Sequence, residues 1–492
     1  MFTKPLFLIT LLMGFNPLYA QEMLGSVNSS YSGITGSMIN PANAVTSPFY
    51  LDFNILSGDV FAENNYLYLS KEEYRFLRFF KKNPDFPTHG VDNDLKAYDN
   101  NSPNDKNAYA NFRMMGPSFA VTVGRHAFGL VTAARSVMST RNVPYPMAKF
   151  MFERFDYPPQ YDINYVYTHT IYNAELAWAE VGFNYSYVFS QKSLDYWAGG
   201  VTVKYLMGYA GGYMYSEYVD YIVYDQDTLT VNKINAVGGY SLPVNYETNE
   251  YMRDPLFRGK GVGFDIGVIY ERKKSSGSYS RMAKLCEQDY IPYKYKIGVS
   301  ILDIGSIKFK KNAEKLVLDG ASTDWTRLPW TEFTTIRNLT DLISNKFYGN
   351  PTELIQGYEI KIALPTVASL QADVNVYKNW FVNGTLVVPV QFSKTGLRRP
   401  SILAVTPRYE TRKFEVGLPV SLYDWSKPRF GIFARYRGFF MGTEKIGGFF
   451  HYSDFYGLDF YAGIKLSFLK GSCRNNTPDG GCGINEYKLF RK

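Results

Sequence analysis

Leu458-Asp459-Phe460-Tyr461-Ala462-Gly463-Ile464-Lys465-Leu466-Ser467-Phe468 decides the fold. Its even positions are Leu458, Phe460, Ala462, Ile464, Leu466 and Phe468, all apolar. Its odd positions are Asp459, Tyr461, Gly463, Lys465 and Ser467, which are polar, small or tyrosine. Successive side chains of a strand point to opposite faces, so this stretch reads as a strand between two different environments.

The same alternation sets Leu370, Ala372, Val374 and Val376 against Gln371, Asp373, Asn375 and Tyr377. It sets Phe414, Val416, Leu418, Val420 and Leu422 against Glu415, Gly417, Pro419, Ser421 and Tyr423. A fourth case opposes Val262, Phe264, Ile266, Val268 and Tyr270 to Gly263, Asp265, Gly267, Ile269 and Glu271. Short turns join many such runs, as at Gly124–Ala127, Lys378–Asn379 and Thr411–Lys413. Other connections are long and polar: Ser70–Asn107, Arg141–Thr170, Ser216–Gly259 and Lys311–Gly357, with short helices expected at Met147–Phe155 and Thr331–Lys346. Alternating short and long connections are the habit of an outer-membrane barrel.

Two solvents account for this pattern. In hydrocarbon every backbone N–H and C=O needs a partner, so a sheet there must close on itself. Its outside is then apolar, and aromatic side chains gather at the two interfaces. Of 492 residues, 42 are Tyr and 36 are Phe, an excess that such girdles absorb. The chain is expected to be all-β, a transmembrane antiparallel barrel of about fourteen strands. About thirteen are legible; both chain ends on one side require an even number, which puts a further strand near Arg437–Tyr456. After the first twenty residues no apolar run approaches the ~20 residues of a spanning helix. A net charge of +8 is dispersed along the chain, unlike the clustered basic face of a nucleic-acid binder.

Met1–Ala20 has Lys4 ahead of an apolar run from Pro5 to Phe15 and a small residue at its end, the form of a cleaved signal peptide. The expected division is 1–20 signal peptide, 21–48 luminal hatch or plug, 49–468 barrel and 469–492 periplasmic tail. The expected place is the outer membrane of a Gram-negative bacterium, with its lipid as a partner. Export leads to an oxidising compartment, where Cys473 and Cys482 could close a small loop.

Ahead of the first strand (Phe49–Phe61) lies the Gly/Ser-rich stretch Tyr31–Asn43, which contains Asn40-Pro41-Ala42. That step resembles the N-terminal hatch of the fatty-acid-transporter-like barrels, a superfamily that includes the PorV-type shuttle of a secretion system. Gly116-Pro117-Ser118-Phe119, Leu302–Phe309, Thr406-Pro407-Arg408-Tyr409-Glu410 and Asp459–Gly463 are similar to stretches of an uncharacterised family of exported outer-membrane barrels. The resemblance implies a hatch-bearing barrel in which Asn40, Pro41 and Ala42 gate the lumen. It supplies no ligand.

Inward positions are expected to carry Arg135, Glu175, Lys204, Asp265, Glu271, Asp373, Arg408, Glu410, Glu415, Arg435, Arg437, Asp459 and Lys465, with Asp303 beside them. Both signs are present, as in an ion-pair network that satisfies buried charge; rings of one sign would mark a simple ion pore. Pro365, Pro389, Pro407 and Pro419 fall in or beside strands, where proline marks bulges or edges; Pro365 and Pro389 could border a lateral opening. Among His89, His126, His169 and His451 no serine-elbow or H-E-x-x-H pattern occurs. No enzyme, cofactor or metal site is expected. The readings carried forward are hatch-gated passage of a hydrophobic small molecule, and a plugged barrel that serves secretion machinery as scaffold or shuttle. A soluble secreted β protein would need polar outer faces, which these strands lack.

Overall fold

The computed structural model describes residues 23–72, 96–153, 155–276, 284–327, 334–426, 428–448 and 452–473. The segment 1–20 and Cys482 lie outside them.

Fourteen antiparallel staves close into one barrel. The first seven are β1 (Phe49–Asn64), β2 (Lys106–Met115, then Ser118–Val123), β3 (His126–Val143), β4 (Ile171–Lys192), β5 (Asp195–Val223), β6 (Leu229–Ser241, then Gly259–Lys273) and β7 (Tyr293–Phe309, then Ala313–Trp325). Next come β8 (Ile355–Gly357, Ile360–Ala363 and Val367–Tyr377), β9 (Trp380–Pro389), β10 (Ile402–Glu410) and β11 (Phe414–Gly417, then Val420–Tyr423). The last are β12 (Pro428–Phe430, then Ile432–Tyr436), β13 (Phe439–Thr443) and β14 (Gly457–Leu469). The seam is β14 on β1, where Asp52 pairs with Ser467 and Asn54 with Lys465. The strand sought near Arg437–Tyr456 is β13, only five residues long.

The alternation read from the sequence is the alternation of the wall. Along β14 the odd residues Asp459, Tyr461, Gly463, Lys465 and Ser467 are buried in the lumen, and Phe460, Ile464 and Leu466 face outward. Outward apolar residues form a continuous band; Ile266 is 53% exposed and Val299 54%. Below the band, on the side of the short turns, lies a belt of rings. Trp197 and Tyr270 stand 4.8 Å apart, Tyr270 and Tyr295 6.0 Å, and Trp380 and Tyr409 5.2 Å. His126 belongs to this belt, with its Nδ1 2.9 Å from the Tyr185 hydroxyl. Amphipathic rings at an interface and aliphatic side chains between the interfaces are what a bilayer selects.

Several expectations need correction. Ser216–Gly259 and Lys311–Gly357 are not loops throughout: β5 runs on to Val223, and the upper parts of β6 and β7 pair over Leu229–Ser241 and Ala313–Trp325. Their Gly-, Asn- and Lys-containing sequences lack the alternation of the lower wall because no lipid touches them. Four α-helices are described. Leu24–Val27 (α1) and Asn43–Thr46 (α2) lie in the N-terminal segment, and Tyr145–Glu153 (α3) and Ile336–Tyr348 (α4) in the long connections. Thr335 caps α4 by accepting from the Asn338 N–H, and Gly349 ends it at φ 69°, a left-handed conformation that glycine adopts without steric cost.

Cys473 does not pair with Cys482. It is bonded to Cys286, 187 residues earlier in the β6–β7 turn, with the two Cα atoms 5.5 Å apart. The spacing of cysteines in sequence carried no information about this turn lying beside the end of β14.

Two results would test this wall. Ile266→Arg sets a charge against hydrocarbon and is expected to cost about 2–4 kcal/mol in folding into vesicles, read by denaturant titration. On non-reducing gels, Cys286→Ser should abolish the mobility shift produced by reductant, whereas Cys482→Ser should leave it intact.

Candidate functional site: the luminal segment and its charged seat

Residues 23–48 fill the lower lumen, and nearly every one is buried. The segment has few side chains able to form a core of its own, so its shape is imposed by polar contacts with the wall. Ile34 N donates to Asp52 of β1 at 2.7 Å, and Pro41 O accepts from Asn184 of β4 at 3.2 Å. Ile39 O accepts from Ser300 of β7 at 2.6 Å, and Asn28 Nδ2 donates to Thr385 of β9 at 3.0 Å. Ser29 donates to Glu415 of β11 at 2.8 Å, and Lys465 of β14 donates to the carbonyls of Tyr31 and Ser32. The segment is held from all around the barrel.

Asn40 is the pivot of this seat and is fully buried. Its Nδ2 lies 3.3 Å from the carbonyls of Val268 and Val299 and 3.2 Å from Gln371 Oε1, while its Oδ1 accepts from Ala42 N at 3.1 Å. The wall makes room for it with inward glycines on neighbouring staves. A Cβ on Gly267 would sit 2.3 Å from Asn40 Oδ1, and one on Gly200 2.5 Å from Ala42 N. Asn40, Pro41 and Ala42 thus lie on bare backbone. A small pocket beside them is lined by Asn28, Asn43, Lys296, Gln371, Asp373 and Asn383, together with Ile269 and Gly298.

Apart from Glu175 and Arg437, the charged residues expected inside are buried there, most of them in two clusters. Arg408 forks onto Asp373 with bonds of 2.9 and 2.7 Å and sends its Nε to Glu410 at 2.9 Å. Arg435 meets Glu415 at 2.8 Å. On the other side Asp303 receives both Arg135 nitrogens, at 2.8 and 2.9 Å, and Lys204 at 2.8 Å; Lys204 also meets Asp265 at 2.7 Å. Asp459 accepts from Glu444 N at 3.0 Å, and Glu444 in turn accepts from Leu24 N at 2.6 Å. Bidentate arginine pairs fix geometry as well as charge, so these clusters set the level at which the segment rests.

Asp303 reaches the lumen through a bulge. Its φ is 56°, the β6–β7 register slips between Phe264 and Ile266, and Asp303 N donates to Asp265 at 2.8 Å. A bulge re-aims a side chain, which simple alternation cannot foresee. Glu175 departs from expectation: it shares the outward face of β4 with Val181 and Phe183, and Glu180 occupies the inward position beside Arg135 at 3.5 Å. Arg437 also departs, lying in the β12–β13 turn at φ 53° over the Tyr436 ring. Pro365 interrupts β8 opposite the Asp303 bulge, yet the wall is bonded there: Leu364 N donates to Gly305 at 2.9 Å and Leu397 N to Ala363 O at 3.1 Å. Pro389 ends β9 paired with Val367. His169 meets the Asn142 carbonyl at 3.2 Å, and His89 and His451 lie outside the described residues.

Above the charges the lumen turns apolar. Leu176, Trp178, Leu206, Tyr213, Ile307, Phe309, Ile360, Ile362 and Leu364 form one cluster, continuous with Met23, Leu24, Val27 and Ile39 of the segment. Inward glycines make room for these side chains: Phe309 of β7 lies across Gly259 of β6 to Gly208 of β5, where a Cβ would come within 2.6 Å of it, and a Cβ on Gly211 would lie 2.8 Å from Ile362 of β8.

At the lower mouth, just past β14, Lys470 donates to the Ser47 carbonyl at 2.8 Å. Burial, and then the like charge of Lys273, pushes its amine down from the ordinary 10.5 to about 7.

Residues 41–444 match the model of a family of unknown function (DUF5723), and the chain belongs to that family. No curated protein matches the sequence. Among solved structures the chain is similar to the toluene transporter TodX of P. putida, at 10% identity over 92% of this chain and 99% of that one, with a TM-score of 0.39. It is similar to a FadL homologue of Pseudomonas aeruginosa at 11% identity, 92% and 99% coverage and TM-score 0.39. It is also similar to the toluene transporter TbuX of Ralstonia pickettii, at 9% identity, 89% and 94% coverage and TM-score 0.37.

Arg408→Leu strips Asp373 and Glu410 of their counter-charge and is expected to cost about 3–5 kcal/mol, read as a lowered urea midpoint in detergent. Asn40→Ala leaves buried groups unbonded at about 1–3 kcal/mol, and should expose residues 23–48 to protease while the barrel stays folded. Between about pH 7 and 10.5 the unfolded chain holds the Lys470 proton that the folded chain has shed. Stability should therefore rise with pH across that window, and Lys470→Met should flatten the slope.

Proposed function

We propose that the protein is an outer-membrane barrel of a Gram-negative bacterium that passes a hydrophobic small molecule, with residues 23–48 acting as the hatch. The single observation that carries this reading is the apolar column above the charged clusters, which runs unbroken from Ile360, Ile362 and Phe309 to Met23 and Leu24 of the segment. The interior of a membrane barrel is ordinarily polar, since water fills it. A column of aliphatic and aromatic side chains holds no water and offers a greasy solute continuous contact. The hatch closes the lower end through hydrogen bonds and ion pairs, which can be exchanged for water without breaking a covalent link.

The second reading is a plugged scaffold or shuttle for surface-protein secretion or attachment. It is favoured by the many bonds that hold residues 23–48. In this case the column is simply a core.

Uptake of a labelled long-chain alkane or fatty acid by cells that produce the protein separates the two. Passage predicts uptake above that of cells lacking the protein. It also predicts faster uptake with Asn40→Ala, and its loss when Asn28→Cys and Thr385→Cys are joined by a short bismaleimide. Background uptake in all three, together with surface proteins that co-purify in fixed ratio, would instead establish the scaffold.

A further inference from the structure

Lys260, Lys308 and Lys361 lie directly across from one another on β6, β7 and β8: Lys260 pairs with Lys308, and Lys308 with Lys361. Direct cross-strand partners share a face, and like charges so placed repel. All three are exposed and point outward, away from the lumen. Lys310 continues the row. Among the described residues Glu359 supplies the counter-charge, at 2.5 Å from Lys308 and 3.5 Å from Lys310, and Lys260 and Lys361 make no ion pair. A wall that sets three lysines in register gains from an anion that bridges them.

The height of the row says which anion. On β6 the outward residues below Lys260 are Val262, Phe264, Ile266 and Val268, ending at Tyr270 of the lower belt. Ten residues at ~3.3 Å each, tilted by ~40°, span roughly 25 Å, the height of an outer-membrane hydrocarbon band. Just above the row the outer face is no longer free. Thr340 of α4 reaches the Tyr240 hydroxyl at 3.0 Å, and Arg337 of α4 meets Glu314. The lysines therefore stand where acyl chains end and headgroups begin, on the side of the long connections.

We infer that Lys260, Lys308 and Lys361, with Lys310, bind the phosphate groups of a phosphorylated lipid in the outer leaflet. The inference rests on the membrane orientation proposed above and not on any passage through the lumen. Such a lipid lies against the apolar band of β6–β8 and puts its phosphates over the row, and Glu359 is displaced toward Lys310.

The test uses full-length protein in a neutral detergent with diphosphorylated lipid A as probe, read by native mass spectrometry and by the thermal midpoint. Wild type should retain the lipid and melt higher in its presence. Lys260→Gln/Lys308→Gln/Lys361→Gln should weaken retention about 100-fold, on the scale of a polybasic surface losing three lysines. Glu359→Gln should strengthen it. These positions are exposed and their like charges repel, so without lipid the triple variant should melt at or slightly above the wild-type midpoint. Uptake assays report on the hatch separately, and failure there leaves this test standing. Equal retention by the triple variant, or of dephosphorylated lipid, overturns the assignment. A midpoint raised as much by inorganic phosphate would mark a site for free anions and would overturn it too.

Discussion

Hydrocarbon offers a peptide group no hydrogen bond, and the rest of the structure depends on that fact. A sheet with a free edge cannot lie in lipid, so β14 must return to β1, and the pairing of Asn54 with Lys465 at the seam is as necessary as any turn. Closure creates an inside, and the inside must then be filled. Here it is filled twice, by charged clusters low in the lumen and by an apolar column above them, with residues 23–48 seated against both.

The seat combines a rigid charged frame with many weak contacts. Arg408, Arg135 and Arg435 hold the wall carboxylates in fixed directions, and the segment borrows acceptors and donors from this fixed frame. Its own contacts are mainly single hydrogen bonds. Each is weak by itself once water can replace it, while together they fix one position. Bare backbone at Gly200 and Gly267 completes the fit by excluding any side chain from the space that Asn40 and Ala42 occupy.

Much of the wall was legible in the sequence because lipid imposes a period-two rule on every stave it touches. Asp373, Arg408, Glu410, Glu415, Arg435 and Asp459 stand inside as alternation requires. The rule fails where its cause is absent. Above the lipid, β5 through β7 carry no apolar outer face, so their upper halves read as loops. At Asp303 a bulge turns a residue inward out of phase, and on β4 Glu175 lies far enough above the apolar band to face outward, leaving Glu180 to meet Arg135. The glycine seat left a trace in the sequence, small residues at inward positions of adjacent staves. Its meaning needed the register between strands, which local sequence does not contain.

The bond between Cys286 and Cys473 has a further consequence for biogenesis. One half-cystine sits in a turn midway along the chain and the other follows the final strand. They come face to face in the native pairing once the last stave has been laid beside the first. Oxidation at this pair is thus a covalent record of completed insertion, and molecules stalled with a gaping seam would lack the Cys286–Cys473 link.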